Sequence, residues 1–144
     1  MFPGAPVVAV NGASREVKAF ALVSQHPENF VNARWVHYQR RLFGDGFTTH
    51  STKPPADHVW EIGNRGGSAW LARRIAGLMG FAPVVLCGCP MTPGPYANGS
   101  NLGGFMHRQD VVDELFRQIA EDVDNHAGAL SMSGRTKELL CGFD

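Results

Sequence analysis

Short apolar runs alternate along the chain with segments in which apolar residues recur every three or four positions. The apolar runs predict strands at 6–10, 18–24, 57–62, 84–86 and 129–132. The helical spacing predicts helices at 29–43, 68–80 and 108–123, with a short fourth helix near residue 135. Strands that alternate with helices are typical of a parallel α/β sheet. We therefore predict a single three-layer Rossmann-like α/β domain over residues 1–144, with a mostly parallel sheet of about five strands and helices on both faces.

Each predicted helix carries an apolar stripe that should face the sheet. The first stripe consists of Val31, Trp35, Tyr38 and Leu42. The second consists of Leu71, Ile75, Leu78 and Met79, and Gly80 is placed to end that helix. The third consists of Val111, Val112, Leu115, Phe116 and Ile119, which leaves Asp113 and Glu114 on the solvent face. The polar segment 47–56 between the first two helices is predicted to be a loop, with His50 as a lone loop histidine.

A glycine turn precedes the second predicted helix and is the central candidate for ligand binding. Gly66 and Gly67 allow close approach of the backbone to a ligand, and Ser68 is the predicted N-cap. The start of a helix offers free N–H groups and the positive end of its dipole, so an anion is favoured there. Arg65 stands directly before the turn and can pair with that anion; the alternative is a surface arginine in a flexible turn.

Polar side chains follow the first two predicted strands. Asn11 follows the first strand, and His26 and Glu28 follow the second. The carboxyl edge of a parallel sheet is where open α/β proteins bind ligands, so these residues are candidates for contacting one. We assign His26 and Glu28 as the candidate catalytic residues, because histidine is the usual proton carrier near neutral pH. The alternatives are that Asn11 is an ordinary turn asparagine and that His26 and Glu28 lie in a solvated loop.

A second helix start follows the last predicted strand, at Ser133, Gly134, Arg135 and Thr136. Its free amides and the Arg135 guanidinium suit an anion, and plain helix capping by Ser133 is the alternative. The long loop 87–104 is rich in glycine and proline, and Tyr96 in it could close over a ligand. Cys87 and Cys89 have the wrong spacing for zinc or redox chemistry, so we predict that both are buried structural cysteines.

Composition and charge limit the classes of function. The 13 basic and 13 acidic residues give a net charge of zero, which argues against nucleic-acid binding and favours a homo-oligomer. No apolar run has the length of a membrane span, so no membrane partner is predicted. Three cysteines and an N-terminus without a signal pattern predict a reducing cytoplasm. No closely spaced ligand set predicts a metal, and no cofactor is predicted.

Five segments together resemble small uncharacterised proteins encoded by tailed phages and prophages, and the likeness covers nearly the whole chain. The segments are 8–11, 23–28, 66–68, 85–91 and Ser131-Met-Ser-Gly-Arg-Thr-Lys-Glu-Leu-Leu140, of which the last is the most specific. The resemblance implies a location in the cytoplasm of a bacterial host.

The order of these segments is also distantly similar to the Rossmann-like domain of bacterial sialyltransferases and flagellar motility accessory factors. That likeness implies a bound nucleotide or nucleotide sugar and touches Asn11, the loop at His26 and Glu28, Gly67 with Ser68, and Gly88. Those larger families open with a strand and a Gly-x-Gly-Pro-Ser phosphate turn, which this chain is expected to lack. Nucleotide binding is then expected to depend on the glycine turn at residue 66.

We therefore predict that the protein binds a nucleotide, nucleotide sugar or other small phosphorylated ligand, with strand ends and helix starts converging on one pocket. One alternative is a transferase-like enzyme that acts at a phosphate or glycosidic centre. A second is a non-catalytic phage protein that sequesters a host signal nucleotide or contacts a host protein. A third is a virion assembly component. The residues leave open whether any reaction is catalysed.

Overall fold

The computed structural model describes residues 4–15, 17–32, 34–94 and 108–140. Its contacts divide the chain into a first unit, Met1–Asn64, and a second unit, Arg65–Asp144. Each unit contains parallel strands connected by helices, which confirms the predicted α/β class. The strands belong to a four-stranded sheet and a two-stranded sheet, whereas we expected about five strands in one sheet. The single domain and the three-layer Rossmann-like arrangement stay predictions.

The first unit is built on a parallel sheet in the order β1-β2-β3-β4. Its strands are β1 Val8–Val10, β2 Ala21–Val23, β3 Thr48–Ser51 and β4 His58–Val59. Between them lie α1 Glu28–Asn32, α2 Arg34–Phe43, and short 3-10 helices at Asn11–Arg15 and Gly44–Gly46. Since the strands are parallel, their carboxyl ends lie along one edge, which we call the carboxyl edge. The register places Val10 beside Val23, Val23 beside His50 and His50 beside His58.

A buried glutamine fixes the orientation of α2 in the first unit. The Gln39 side chain is fully buried, and its Nε2 donates to the carbonyl oxygens of Ser14 and Val17. Its Oε1 accepts the N–H of Ala19 at 3.3 Å. This one side chain therefore gives three backbone groups between β1 and β2 the hydrogen-bond partner that a buried backbone group needs. The apolar core beside it comprises Ala9, Ala19, Leu22, Phe30, Val36 and Phe47.

Two predictions for the first unit are wrong. The predicted apolar face of the helix 29–43 is not the buried one, because Val31, Tyr38 and Leu42 are 61%, 50% and 44% exposed. The side of α2 that carries Gln39 is buried instead, because hydrogen bonds from the Gln39 side chain to backbone groups of the first unit hold that side inward. The predicted loop at 47–56 contains β3, whose two threonines have the β-branched side chains that favour strands.

The second unit pairs β5 Val84–Leu86 with β6 Ala129–Ser131 in parallel, as its predicted strands suggested. Its helices are α3 Gly67–Leu78, α4 Gln109–Glu121 and α5 Gly134–Leu140, with a 3-10 helix at Val123–Asn125. Around the strand pair, an apolar core forms from Trp70, Leu86, Met91, Val112, Ile119, Ala129 and Leu140. None of the described helices is both long and apolar enough to cross a membrane.

The end of α3 confirms the predicted glycine stop. Gly80 has a φ of +90°, and its N–H donates to the carbonyl of Gly77. The N–H of Phe81 donates to the carbonyl of Ala76 at 3.0 Å, which completes a Schellman motif. Of the predicted stripe of α3, Leu71 and Ile75 are buried, whereas Leu78 is 59% exposed because it lies in the last turn of the helix.

Candidate functional site

The carboxyl edge of the first unit holds the three predicted residues that follow its strands. Asn11 comes directly after β1 and begins the 3-10 helix there. Its φ of +49° is in the left-handed region, which asparagine tolerates better than most residues. His26 and Glu28 follow β2, which pairs with β1, so the strand register brings these turns to the same edge. This placement confirms the predicted strand-end positions.

His26 and Glu28 form a direct pair. The His26 Nδ1 lies 3.2 Å from the Glu28 Oε1, and both side chains are 59% exposed. The N–H of His26 also donates to the Ser24 hydroxyl at 2.9 Å, which fixes the turn that carries the ring. A carboxylate at Nδ1 favours the tautomer with its proton on that atom, which leaves Nε2 of the neutral ring as an acceptor facing outward from the pair.

Lys53 lies beside this pair, and we call His26, Glu28 and Lys53 together the edge cluster. Its Nζ lies 3.9 Å from the Glu28 Oε2. The Glu28 backbone N–H at the start of α1 is the largest cause that holds the pKa of the Glu28 carboxyl below its usual value; His26 and Lys53 add to it. The carboxylate is therefore ionised at neutral pH and lies between two basic side chains. Sequence reasoning missed Lys53 because a lysine in a loop carries no local signal.

The glycine turn of the second unit serves packing at its first residue. Gly66 is the N-cap of α3, with a φ of +69°, and its N–H donates to the Gln118 Oε1 at 2.9 Å. A Cβ at this position would lie 2.6 Å from the Ile119 Cγ1 and 2.7 Å from the Trp70 Cβ. This amide is already paired within the protein. Ligand contact by Gly66 therefore stays a prediction without a free amide to support it.

The prediction that Ser68 caps α3 is wrong, because the helix already begins at Gly67 and its N-cap is Gly66. The N-cap position is occupied by Gly66, whose backbone lies in the left-handed region and which makes no side-chain cap hydrogen bond. Ser68 is half-buried within the first turn, and Arg65 is exposed just before the turn. Ligand contacts by Arg65, Gly67 and Ser68 stay predictions.

The second helix start is occupied by the segment that follows β5. The N–H of Arg135 donates to the Pro90 carbonyl at 2.9 Å, and a Cβ on Gly134 would clash with Pro90. The buried Thr136 hydroxyl lies 2.6 Å from the Cys89 carbonyl oxygen. The carbonyl of Ser133 accepts the N–H of Lys137. The segment after β5, at Cys89 and Pro90, thus fills the space that an anion would need at the predicted site of Ser133, Gly134, Arg135 and Thr136.

Arg135 already has a carboxylate partner in the structure. Its guanidinium donates to the Asp113 Oδ1 at 2.5 Å and lies 3.9 Å above the Phe116 ring. Asp113 lies on the solvent side of α4, as predicted, since its side chain is 47% exposed, and its partner Arg135 comes from the neighbouring α5. An anion would have to compete with Asp113 for this cation.

The two described cysteines of the second unit, Cys87 and Cys89, differ in exposure. Cys87 is exposed, so its predicted burial is wrong; it lies just after β5, beyond the paired residues. Burial raises the pKa of the half-buried Cys89 thiol to about 11, so the reactive thiolate is scarce at neutral pH. Tyr96, the predicted lid residue, lies outside the described residues.

His50 is a buried histidine that sequence reasoning placed in a loop. It lies in β3, where its Nδ1 accepts the Trp60 Nε1–H at 3.0 Å. Since an indole only donates, the neutral ring carries its proton on Nε2, which lies 2.8 Å from the Thr48 Oγ1. The His58 ring stacks on it at 4.8 Å. Burial, with the neighbouring His58 charge, lowers the His50 pKa to about 4, so this residue is a neutral structural group.

A cavity of about 530 Å³ opens near the same strands, and its charges are already paired. Arg40 from α2 and Asp57 line it, and the Arg40 Nη2 lies 3.1 Å from each Asp57 carboxylate oxygen. Burial alone would raise the Asp57 pKa, but hydrogen bonds from Thr49 and the Arg40 charge hold it below the usual value. This ion pair links α2 to the start of β4 and leaves little charge for a ligand.

Among the described residues, no group of three or more histidine, cysteine, aspartate or glutamate side chains could hold a metal ion. No protein-family model matches the chain, and neither a curated protein nor a solved structure matches it significantly. The likeness to phage proteins and Rossmann-like transferase domains stays a prediction. The convergence of the carboxyl edge and the two helix starts on one pocket also stays a prediction.

Proposed function

We propose that the protein binds a small phosphorylated ligand, of the nucleotide or nucleotide-sugar type, at the carboxyl edge of its first unit. The observation that carries the proposal is the edge cluster: an exposed His26 is held by Glu28 with Lys53 beside it, at the end of a parallel strand. Such edges are the usual ligand sites of open α/β sheets. The helix starts of the second unit support the proposal less, because Gly66 and Arg135 have paired N–H groups.

The edge cluster supplies complementary contacts for a phosphate group. The Lys53 ammonium carries three donors, and a protonated His26 would add a donor at Nε2. Glu28 holds the ring in place but adds a negative charge, so the cluster is close to neutral until His26 is protonated. Asn11 follows the neighbouring strand and offers an amide that can donate to or accept from a sugar or base. The Rossmann-like three-layer arrangement belongs to the same proposal.

Exposure of the edge cluster favours a non-catalytic binder over a transferase-like enzyme. His26 and Glu28 are both 59% exposed, and proton-transfer chemistry at a phosphate or glycosidic centre generally requires a site that excludes water. Ligand binding alone, as in sequestration of a signal nucleotide, makes no such demand. If turnover exists, His26 is the candidate acid or base, and turnover should fall by about 100-fold or more in His26→Ala.

Titration calorimetry with CMP, UMP, ADP and their sugar conjugates tests the proposal. We expect at least one to bind the wild-type protein, and His26→Ala and Lys53→Ala to weaken it about tenfold each, a loss of about 1.4 kcal/mol. The matched controls are His37→Ala, an exposed histidine on α2, and Lys18→Ala, an exposed lysine of the same unit. Both controls should bind like the wild type.

Two results would overturn the proposal. One is the absence of binding by every nucleotide at millimolar concentration. The other is binding that His26→Ala and Lys53→Ala weaken no more than the two controls do, because the ligand would then contact another surface. Incubation of the same nucleotide sugars with the protein, followed by product analysis, separates an enzyme from a binder.

A further inference from the structure

The second unit contains a cavity of about 220 Å³ beside the C-terminal half of α3 and the turn before β6. Two consecutive arginines of α3, Arg73 and Arg74, line it, together with Asn125 and the apolar Phe81. This cavity lies at the opposite end of α3 from the glycine turn. None of its residues belongs to the edge cluster, so the inference from it does not depend on the proposed function.

Arg73 is a buried charge with unused donors. It is only 7% exposed, and its Nη2 donates to the Ala127 carbonyl at 2.5 Å. Its Nε is buried without a hydrogen-bond partner, and no carboxylate of a described residue lies within 4 Å of the guanidinium. A buried guanidinium normally has a carboxylate or phosphate partner, since leaving the charge unpaired is costly. Burial accordingly lowers the pKa of Arg73.

The Asp122 carboxylate, which favours the charged form of Arg73, is shared among several other donors. The Asp122 Oδ2 accepts the Trp70 Nε1–H at 2.7 Å and lies 3.8 Å from the Arg74 Nε, and its Oδ1 accepts the Asn125 Nδ2–H. Asp122 therefore has close contacts with Arg74, Asn125 and Trp70, but it forms no ion pair within 4 Å with Arg73.

Gly77 keeps space open for the Arg73 side chain. A Cβ at Gly77 would lie only 3.0 Å from the Arg73 Nη1, so the guanidinium passes directly over this glycine. The Arg73 guanidinium also lies 5.7 Å from the centre of the Trp70 ring, which leaves its edge donors available for hydrogen bonds. The side chain is thus held in one position at the cavity wall before any ligand arrives.

We propose that this cavity binds a small oxyanion of the phosphate class, with the Arg73 guanidinium as its principal partner and Arg74 as the second cation. Guanidinium groups match phosphate geometry with paired donors, and no carboxylate of a described residue lies close enough to Arg73 to take that place. The volume of about 220 Å³ is below the roughly 300–1,000 Å³ of pockets for drug-sized ligands. The occupant is therefore a phosphate group, either free or at the end of a larger molecule that extends into solvent.

NMR titration of the wild-type protein with inorganic phosphate, and separately with glycerol phosphate, tests this site. We expect saturable shifts of the Arg73 Nε–Hε resonance that sodium chloride at the same ionic strength does not reproduce. Tighter binding of glycerol phosphate would indicate that a phosphate monoester is the natural occupant, and tighter binding of inorganic phosphate would indicate the free ion. The absence of saturable binding by either compound would overturn the proposal.

Three variants separate a binding role of Arg73 from a structural one. Arg73→Lys keeps a charge but loses the paired donors, and it should weaken phosphate binding about tenfold or more. Arg74→Ala should weaken binding with Arg73 intact, and it decides the question if Arg73→Lys fails to fold. The control is Arg117→Ala, an exposed arginine on α4, which should bind like the wild type. Equal affinity in Arg74→Ala and Arg117→Ala would contradict the proposal.

Discussion

Replacement of Gly66 by alanine is expected to lower the free energy of unfolding by about 2–5 kcal/mol, from backbone strain of about 1–2 and overpacking of about 1–3. The strain arises because Gly66 has a φ of +69°, which an L side chain rarely adopts. The overpacking arises because the new Cβ would lie 2.6 Å from the Ile119 Cγ1 and 2.7 Å from the Trp70 Cβ. Both neighbours belong to the core of the second unit, so neither can move freely. Urea unfolding followed by tryptophan fluorescence measures the loss.

Gly88→Ala is the matched control for Gly66→Ala. Gly88 has nearly the same φ, +71°, but no atom of a described residue lies within 4 Å of the Cβ that alanine would add. Gly88→Ala should therefore cost only the strain, about 1–2 kcal/mol. The difference between the two variants isolates the overpacking of the new Cβ against Ile119 and Trp70. If Gly66→Ala costs no more than Gly88→Ala, the close packing of Gly66 against Ile119 and Trp70 is incorrect.

Local features of the fold were predictable from the sequence. The stop of α3 at Gly80 depends on a left-handed residue after an apolar stripe, and both are visible within a few positions. The strands β5 and β6 are short apolar runs next to turn residues, and they were also found. The buried face of α2 was missed because it is anchored by a polar residue. The Gln39 side chain is buried by hydrogen bonds to backbone groups twenty or more positions away, which periodicity does not show.

The candidate sites follow the same division. The placement of His26 and Glu28 at a strand end was predictable, since it follows from a strand and the proline after it. The pairing of Lys53 with Glu28, and of Arg135 with Asp113, joins residues distant in sequence. No local pattern distinguishes Arg73 from an ordinary surface arginine of a helix. Only the packing of α3 against the turn at Ala127 shows that its guanidinium is buried.

Acidification is expected to destabilise the first unit through His50. Its pKa is about 4 in the folded protein against an ordinary value of 6.5, because burial and His58 oppose the charged form, whereas Asp57 favours it slightly. Below about pH 6.5 the unfolded chain binds a proton that the folded protein does not, so this stability is complete above that pH and declines toward about pH 4. Between about pH 7.5 and about pH 5 the loss should be about 2 kcal/mol, of a total near 3. Urea unfolding at the two pH values measures it.

His50→Gln separates this effect from the titration of the other histidines. Glutamine stays neutral, so the variant should lose about 2 kcal/mol less than the wild type on going from about pH 7.5 to about pH 5. His37→Gln, at an exposed position on α2, should show the wild-type pH dependence. The ring resonances of His50 provide a direct measurement, because they should stay unchanged until the pH approaches 4. A midpoint close to 6.5 for these resonances would mean that the His50 ring accepts a proton freely, and its bonds to Trp60 and Thr48 would then not hold it neutral.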